Sequence, residues 1–305
     1  MPTTAHPIII ISSPRSGSTW IAQNLGAASN VHLVIEPFNP NRSLGIRLLR
    51  EVKWYEYISN ENQNSYTEFL DGFVHYTRPN FRDLLRTDQD RMMLARYYLK
   101  NLVVRRSRSP QLLIKDPCMT FLAEWFVNRY RARVVMLVRH PAAFVQSMLD
   151  RHWVLDFNNI LEQPLLLRDH LSSYETQMRS FSGVDSNSIE QQCLHWNMIN
   201  DTIARYKRDH MDWVCIRHED FCIDPLESFS QLYQQLELPV TNAVRQTIES
   251  NSTANRLDGR WGTDVARDSK RIVKKWKGRL TEESIHLIRE LTEPVASKFY
   301  TDEDW

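Results

Sequence analysis

A buried strand that runs directly into a hydroxyl-rich turn limits the possible folds of this chain more than any other feature. Residues 8–11 are four consecutive isoleucines, a pattern typical of a strand buried in a parallel sheet. The turn that follows supplies a cation, a glycine and three hydroxyls: Arg15, Ser16, Gly17, Ser18 and Thr19. Glycine allows the backbone amides to turn inward, and the helix predicted to begin near Trp20 favours an anion at its start. The segment predicts a phosphate-binding loop, with an ordinary strand, turn and capped helix as the alternative.

The loop differs from the common nucleotide-binding pattern G-x-x-x-x-G-K-[ST]. Position 12 is serine rather than glycine, and Ser18 stands where the lysine after the last glycine would be. That lysine and the glycines are what Mg-ATP binding requires of such a loop. The loop is therefore expected to bind a phosphate-like group without the usual Mg-ATP chemistry.

Composition narrows the class of protein. The chain has 305 residues, 42% of them hydrophobic, and shows no linker or repeat, so one domain over residues 1–305 is expected. A net charge of +1 argues against binding to nucleic acid or membranes. The four cysteines are scattered and lack C-x-x-C spacing, which predicts neither disulfides nor a metal site. With no apolar run long enough to span a bilayer and no room for a signal peptide, a cytoplasmic protein is expected.

Strands alternate with helices along the chain, and a charged residue follows each of the four strands predicted after the first. Strands predicted at residues 31–35, 112–114, 134–138 and 213–216 are followed by Glu36, Lys115, Arg139 and Arg217. Helices are predicted at residues 88–105, 121–131, 142–150, 188–208, 226–236 and 282–298. The pattern predicts an α/β fold with a central parallel sheet and helices on both faces, in which the charged strand ends converge on one crevice. Longer insertions, at residues 40–87 and 154–187, are predicted to form acceptor-site walls or lids.

A second anion-binding feature follows the strand at residues 134–138. Arg139 closes this strand, Pro141 begins a helix, and Ser147 lies two turns into it. A guanidinium and a hydroxyl in this arrangement are able to bind one anion together. A surface ion pair is the alternative for an arginine at such a position.

Together these segments resemble the sulfotransferase family, whose donor is 3′-phosphoadenosine 5′-phosphosulfate (PAPS). Residues 14–20 are similar to the family's 5′-phosphosulfate loop, and Arg139 with Ser147 is similar to its 3′-phosphate motif. Residues 215–225 resemble the family's R-Y-E-D-L strand and turn, with His218 in place of tyrosine. Residues 276–280 resemble its W-R/K-x-x-L element. Within the family, these motifs are most similar to those of the carbohydrate-type and bacterial sulfotransferases.

The resemblance implies a P-loop-like fold and transfer of a sulfuryl group from PAPS to a hydroxyl or amine, without a metal. The implied donor-binding residues are Arg15, Ser16, Gly17, Ser18, Thr19, Trp20, Arg139 and Ser147, with Trp20 stacking on the adenine. Basic residues between 260 and 277 are further candidates for the 3′-phosphate. Arg15 and Lys115 are expected to stabilise charge on the departing phosphate, although Lys115 could instead pair with an acid.

The general base has several candidates. Cytosolic relatives have a histidine two positions after the strand-end lysine, where this chain has Pro117. Glu36 follows the second strand as a glutamate does in the carbohydrate-type relatives, and it is the favoured base. Asp116 and His140 are the alternatives, although each could simply cap the helix that follows it.

The sequence does not determine whether the acceptor is a saccharide or a small natural product. Aromatic residues crowd the first insertion and could stack on a ring or pack in the core: Trp54, Tyr55, Tyr57, Tyr66, Phe69, Phe73, Tyr76 and Phe81. Two other functions are compatible with the sequence. A P-loop kinase would bind ATP with Mg²⁺, and a non-catalytic nucleotide-binding protein would not need Glu36 or Lys115.

Overall fold

A five-stranded parallel sheet lies at the centre of the computed structural model. The structure describes residues 6–41, 53–75, 111–184, 187–253 and 273–305. The strands are β1 (Ile8–Ser12), β2 (Val31–Ile35), β3 (Gln111–Lys115), β4 (Arg133–Val138) and β5 (Val214–Arg217). Their order across the sheet is β2-β3-β1-β4-β5, and every pairing is parallel. The loop after β1 therefore emerges between the ends of β3 and β4.

Helices connect the strands and cover the sheet. The longer ones are α1 (Ser18–Leu25), α2 (Thr67–Val74), α3 (Ala123–Tyr130), α4 (Pro141–Leu149), α5 (Glu175–Phe181), α6 (Ile189–Asp209), α7 (His218–Ile223), α8 (Pro225–Gln235), α9 (Asn242–Thr253) and α10 (Glu282–Ala296). Short helical segments lie at Gln63–Ser65, Pro117–Leu122, Asn158–Leu161, Pro164–Leu166, Leu167–Leu171, Ser172–Tyr174, Lys275–Gly278 and Asp302–Asp304. Among the helices of the described ranges, none combines the length and the apolar composition that a membrane-crossing helix needs.

The isoleucines of β1 contribute to a hydrophobic core on each face of the sheet. Ile9 and Ile11 belong to the larger core, which includes residues of α4 and α6. Ile8 and Ile10 belong to the second core, which includes residues of α1 and α8. Successive side chains of a strand point to opposite faces, so a strand with no polar residue over this length must be covered on both sides. The predicted α/β fold with a central parallel sheet is confirmed.

Several predicted elements shift by a residue or two, and some were missed. The fifth strand begins at Val214 rather than at residue 213, and the helix predicted at residues 121–131 is a 3₁₀ turn followed by α3. Helices α2, α5, α7 and α9 were not predicted. The helix predicted at residues 88–105 lies outside the described residues, as do Tyr76 and Phe81.

One strand end does not join the predicted crevice. The guanidinium of Arg217 pairs with Asp304 at 2.8 Å and lies over the ring of Tyr300. It also donates to the carbonyl oxygen of Phe299 at 3.4 Å. The expectation that Arg217 converges with the other charged strand ends was wrong, because β5 is an edge strand against which the C-terminal segment packs. Arg217 holds that segment in place.

Candidate active site

The loop between β1 and α1 has a tightly constrained backbone. Arg15 and Gly17 both adopt left-handed conformations, with φ of 58° and 83°. A Cβ placed on Gly17 would lie 2.3 Å from Cδ2 of His218, a distance that real atoms do not tolerate. Glycine is therefore required here for two reasons, the backbone conformation and the contact with the imidazole. His218 follows β5, so the loop is fixed against a distant part of the chain.

The first turn of α1 has no side chain that caps it. Gly17 occupies the cap position, and no side-chain cap hydrogen bond forms there. Ser16 and Ser18 are buried, Thr19 is half-buried, and the Ser16 hydroxyl lies 3.0 Å from the hydroxyl of Ser13. Backbone amides at an uncapped helix start, beside a left-handed glycine, form a site suited to an anion.

Arg139 and Ser147 lie next to this loop, as the sequence pattern predicts. Arg139 Nη1 donates to the carbonyl oxygen of Arg15 at 2.5 Å, and Arg15 Nε donates to the Ser147 hydroxyl at 3.3 Å. Arg139 is at the end of β4, while Ser147 lies on α4. The three side chains thus join two segments that are more than a hundred residues apart in sequence.

A small cavity of about 170 Å³ opens on these three residues. Its other charged lining residues are the cations Arg151, Lys275 and Arg279 and the acid Asp150. Asp150 is bound to Arg279 at 2.5 Å. Five cations against one carboxylate leave the cavity strongly positive, which is the charge that a phosphate dianion requires.

One N–H group of Arg139 has no hydrogen-bond acceptor among the described residues. Its Nε is buried and has no partner among them. Burial lowers the pKa of Arg139, and the carboxylate of Glu219 opposes this shift. Glu219 is itself buried and accepts from the His140 amide at 3.0 Å and from the Tyr300 hydroxyl at 3.1 Å. A buried donor without a partner at the edge of a basic cavity fits an anionic ligand.

A second charged group lies at the ends of β2 and β3. The Lys115 amine, almost fully buried, forms an ion pair with the carboxylate of Glu36. Glu36 has a left-handed backbone with φ of 53°, and its amide donates to the Lys115 carbonyl oxygen at 2.7 Å. Asn39 Nδ2 donates to the other carboxylate oxygen at 2.8 Å. The two strand ends thus present one acid and one cation side by side.

The two alternative bases both cap helices. Asp116 Oδ1 accepts from the Cys118 amide at 2.9 Å, and His140 Nδ1 accepts from the Ala142 amide at 3.3 Å. The His140 ring stacks on Trp276 at 4.8 Å, with an interplanar angle of 9°. Burial lowers the pKa of His140 to about 3, so the ring is neutral near physiological pH. His140 thus caps α4 and packs against Trp276.

Other predicted site residues have structural contacts. Trp20 is half-buried and packs edge to face against Phe229 at 5.2 Å and His218 at 6.1 Å. Trp276 is buried against His140, and the neighbouring Lys277 amine donates to the carbonyl oxygen of Trp305. The candidate basic residues at 260–272 lie outside the described residues.

The two insertions contact one another where they are described. Gln163 Nε2 donates to the Trp54 carbonyl oxygen at 3.2 Å, and the Tyr57 amide donates to Gln163 Oε1 at 2.9 Å. The Tyr57 hydroxyl donates to Asp169 at 3.0 Å. Most aromatic residues of the first insertion are at least partly buried against the larger core, including Tyr55, Tyr66, Phe69 and Phe73. Core packing therefore accounts for most of this aromatic cluster.

Sequence reasoning missed two of the cavity cations, Arg151 and Arg279, whereas Lys275 falls within the candidate basic residues between 260 and 277. Arg151 lies four residues beyond Ser147, in the turn that follows the end of α4 at Leu149. Arg279 and Lys275 flank Trp276, which was singled out for its family resemblance. Its position one residue after the helix predicted at 142–150 gave no signal for Arg151, and only the tertiary fold brings residues 275–279 to α4.

A known family matches the first half of the chain. The model described as "Sulfotransferase family" matches residues 7–158, a range that contains both anion-binding motifs and the pair of Glu36 with Lys115. No curated protein matches the chain at the sequence level.

Solved structures of sulfotransferases share only low identity with this chain. A sulfotransferase domain from the curacin biosynthetic pathway is 16% identical, with 96% of this chain and 97% of that domain covered and a TM-score of 0.49. A sulfotransferase domain from the Synechococcus PCC 7002 olefin synthase is 18% identical, with 97% of each chain covered and a TM-score of 0.45. The mouse sulfotransferase SULT7A1, complexed with PAP, is 14% identical, with 98% and 85% covered and a TM-score of 0.48. The family match over residues 7–158 confirms the family that the motifs predicted: the chain belongs to the sulfotransferase family.

Proposed function

We propose that this protein transfers a sulfuryl group from PAPS to a hydroxyl or amine of a saccharide or a small natural product and releases adenosine 3′,5′-bisphosphate (PAP). The observation that carries the proposal is the basic cavity beside the β1 loop, where Arg15, Arg139 and Ser147 meet. A donor with phosphates at both its 5′ and 3′ positions needs two neighbouring anion sites. The loop and the cavity supply two such sites in contact with each other.

Each anion site has its own set of donors. The amides at the start of α1, with Arg15 and the hydroxyls of Ser18 and Thr19, are suited to the 5′-phosphosulfate. Arg139 and Ser147 are suited to the 3′-phosphate, for which the buried Nε of Arg139 offers an unused donor. Lys275 and Arg279 add charge to the second site. Trp20, with its ring half-buried beside the loop, is placed to border the adenine.

The ion pair of Lys115 and Glu36 supplies the base and the charge stabilisation for the transfer step. In the transfer step the bond from sulfur to the phosphate oxygen breaks while a bond to the acceptor oxygen or nitrogen forms. The acceptor proton passes to the carboxylate of Glu36. The Lys115 amine donates to the oxygen left on the departing phosphate and stabilises the charge that develops there. The reaction as proposed uses no metal ion.

Trp54 of the first insertion and Trp153, immediately before the second, are suited to form an acceptor wall. Trp153 is 39% exposed and packs edge to face against Trp54 at 6.1 Å. Trp153 lies two residues beyond Arg151, which lines the basic cavity. The exposed ring of Trp153, with the half-buried Trp54 beside it, would contact the apolar face of a sugar or of an aromatic acceptor.

Calorimetry with PAP, 5′-AMP and ATP with Mg²⁺ tests the donor assignment. The protein is expected to bind PAP without metal and to bind it more tightly than either other nucleotide. Arg139→Ala should weaken PAP binding by roughly 10- to 100-fold, since a charge-assisted hydrogen bond contributes about 1.5 to 3 kcal/mol. Arg179→Ala is the matched control, because Arg179 is an exposed helix arginine paired with Glu175. Equal affinity of wild type for PAP and 5′-AMP would refute a 3′-phosphate site.

Transfer itself is tested with radiolabelled PAPS and a panel of naphthol, N-acetylglucosamine and octanol, with EDTA present. Glu36→Gln keeps the shape of the side chain but cannot accept the proton, so turnover should fall by about 100-fold while PAP affinity remains. Preferential binding of ATP with Mg²⁺ would instead favour a kinase. PAP binding without transfer to any acceptor, in a wider screen as well, would favour a non-catalytic role.

A further inference from the structure

Asp116 joins the ends of two neighbouring strands through its carboxylate. Oδ2 accepts from the amide of Phe38 at 2.6 Å, and Oδ1 accepts from the amide of Cys118 at 2.9 Å. Phe38 lies in the turn after β2, and Cys118 is in the 3₁₀ turn after β3. The Asp116 side chain is fully buried. The hydrogen bond from Cys118 to Oδ1 is sufficient to cap the 3₁₀ turn. The hydrogen bond from Phe38 to Oδ2 is not part of this cap and has a different consequence.

The second bond holds the backbone that carries Glu36. Phe38 is two residues beyond Glu36, whose left-handed conformation would cost free energy in a flexible turn. Glu36 is also bonded through its own amide to the Lys115 carbonyl oxygen at 2.7 Å. The turn after β2 is thus fixed at two points to the residues on either side of the Lys115–Asp116 peptide bond. Both attachments set the position of the Glu36 carboxylate relative to the Lys115 amine.

The surroundings of Asp116 make this attachment sensitive to protonation. Burial, together with the negative charge of Glu36, raises the pKa of Asp116 to about 7, against the opposing effects of the two amide bonds and of Lys115. The phenol of Tyr55 and the thiol of Cys118 are the other titratable groups that face it. A protonated carboxyl has one good acceptor oxygen and one hydroxyl donor. It therefore cannot accept well from two amides at once.

We propose that Asp116 is a positioning residue of this active site. Its carboxylate fixes the turn that carries Glu36 against Lys115, so that both side chains are correctly positioned relative to the reacting atoms. The proposal rests on the proposed function, because it assumes that Glu36 and Lys115 act in the transfer step. It assigns Asp116 no contact with the substrate. A displacement of about 1 Å at a reacting group is enough to lower turnover by about 100-fold.

Asp116→Ser separates this role from the helix cap. Serine still caps the Cys118 amide but is too short to reach Phe38, so the 3₁₀ turn is retained while the connection to β2 is lost. We expect kcat with the best acceptor of the panel to fall by about 10- to 100-fold, while PAP affinity stays within about twofold. In wild type, kcat should decline as the pH falls through about 7. This acidic limb of the pH profile should be absent from Asp116→Ser.

Hydrogen exchange gives a readout that needs no acceptor. The Phe38 amide should be protected in wild type and exchange faster in Asp116→Ser, with the Cys118 amide still protected. Asp224→Asn is the control, since Asp224 caps α8 through the Glu227 amide and has no part in the site. It should leave kcat and the pH limb unchanged.

The outcomes separate this proposal from the proposed function. If wild type fails to bind PAP, the proposed function fails. If wild type binds PAP but Asp116→Ser is folded with unchanged kcat, or with unchanged Phe38 exchange, the positioning role is refuted. A fall in PAP affinity as large as the fall in kcat would also refute it, because that result indicates a general structural role.

Discussion

The contact between Gly17 and His218 allows a quantitative test of how the phosphate-binding loop is held. Gly17→Ala would place a methyl group 2.3 Å from Cδ2 and 2.6 Å from Nε2 of His218, on a residue with φ of 83°. The left-handed backbone costs alanine about 1 to 2 kcal/mol. Overpacking against a buried ring adds about 1 to 3 kcal/mol. The free energy of unfolding should therefore fall by about 2 to 5 kcal/mol.

Urea denaturation, followed by tryptophan fluorescence, measures this loss. Gly183→Ala is the matched control, because Gly183 has φ of 76° but no atom lies within 4 Å of the place that an added methyl group would occupy. It should cost only the backbone component of about 1 to 2 kcal/mol. In the His218→Ala background the ring is gone, so Gly17→Ala should also cost only this component. An equal cost of Gly17→Ala in both backgrounds would show that the imidazole is not what excludes a side chain at position 17.

Three further predictions address the site and its supports. Ser147→Ala should weaken PAP binding by about 3- to 10-fold in calorimetry, since it removes a neutral hydroxyl from a site whose cations remain. Trp153→Ala should raise KM for a ring-bearing acceptor while PAP affinity stays unchanged, and a matching loss of PAP affinity would contradict an acceptor role. The raised pKa of Asp116 means that its carboxyl stabilises the fold below about pH 4 and loses this contribution as the pH rises through about 7. The free energy of unfolding of wild type relative to Asp116→Ser should therefore fall by up to about 1.4 kcal/mol per pH unit over that interval, as urea denaturation at several pH values would measure.

Local sequence pattern was sufficient to predict the central elements of the fold. The isoleucines of β1 have no polar face, and only a strand covered on both sides of a parallel sheet satisfies them. The glycine and hydroxyls that follow can be interpreted locally as well, because the backbone conformation of Gly17 depends on its own chemistry. The charges at the ends of β2, β3, β4 and β5 were all predicted to meet, because the carboxyl ends of parallel strands share one edge. Glu36 pairs with Lys115, whereas Arg217 does not join the others. Arg139 and Ser147 were placed beside the loop for the same reason.

Only the tertiary structure decided which partner each charged strand end takes. Arg139 follows β4 and Arg217 is the last residue of β5, yet one lines the cavity and the other binds the C-terminal segment at Asp304. Their local sequences do not distinguish these outcomes, since β4 lies inside the sheet and β5 at its edge. The distinction depends on strand order, which arises from packing among segments far apart in the chain.

The same limit applies to the two hydrogen bonds that Asp116 accepts. Locally, the sequence identifies an acid before Pro117 and so predicts a helix cap, which the structure contains. The second hydrogen bond, to Phe38, spans 78 residues and exists only because β2 and β3 are neighbours in the sheet. Side-chain chemistry and local backbone preference are properties of short segments and follow from the sequence alone. The contacts that fix Glu36, Lys115 and Asp116 relative to one another depend on the folded chain, because no local interaction specifies them.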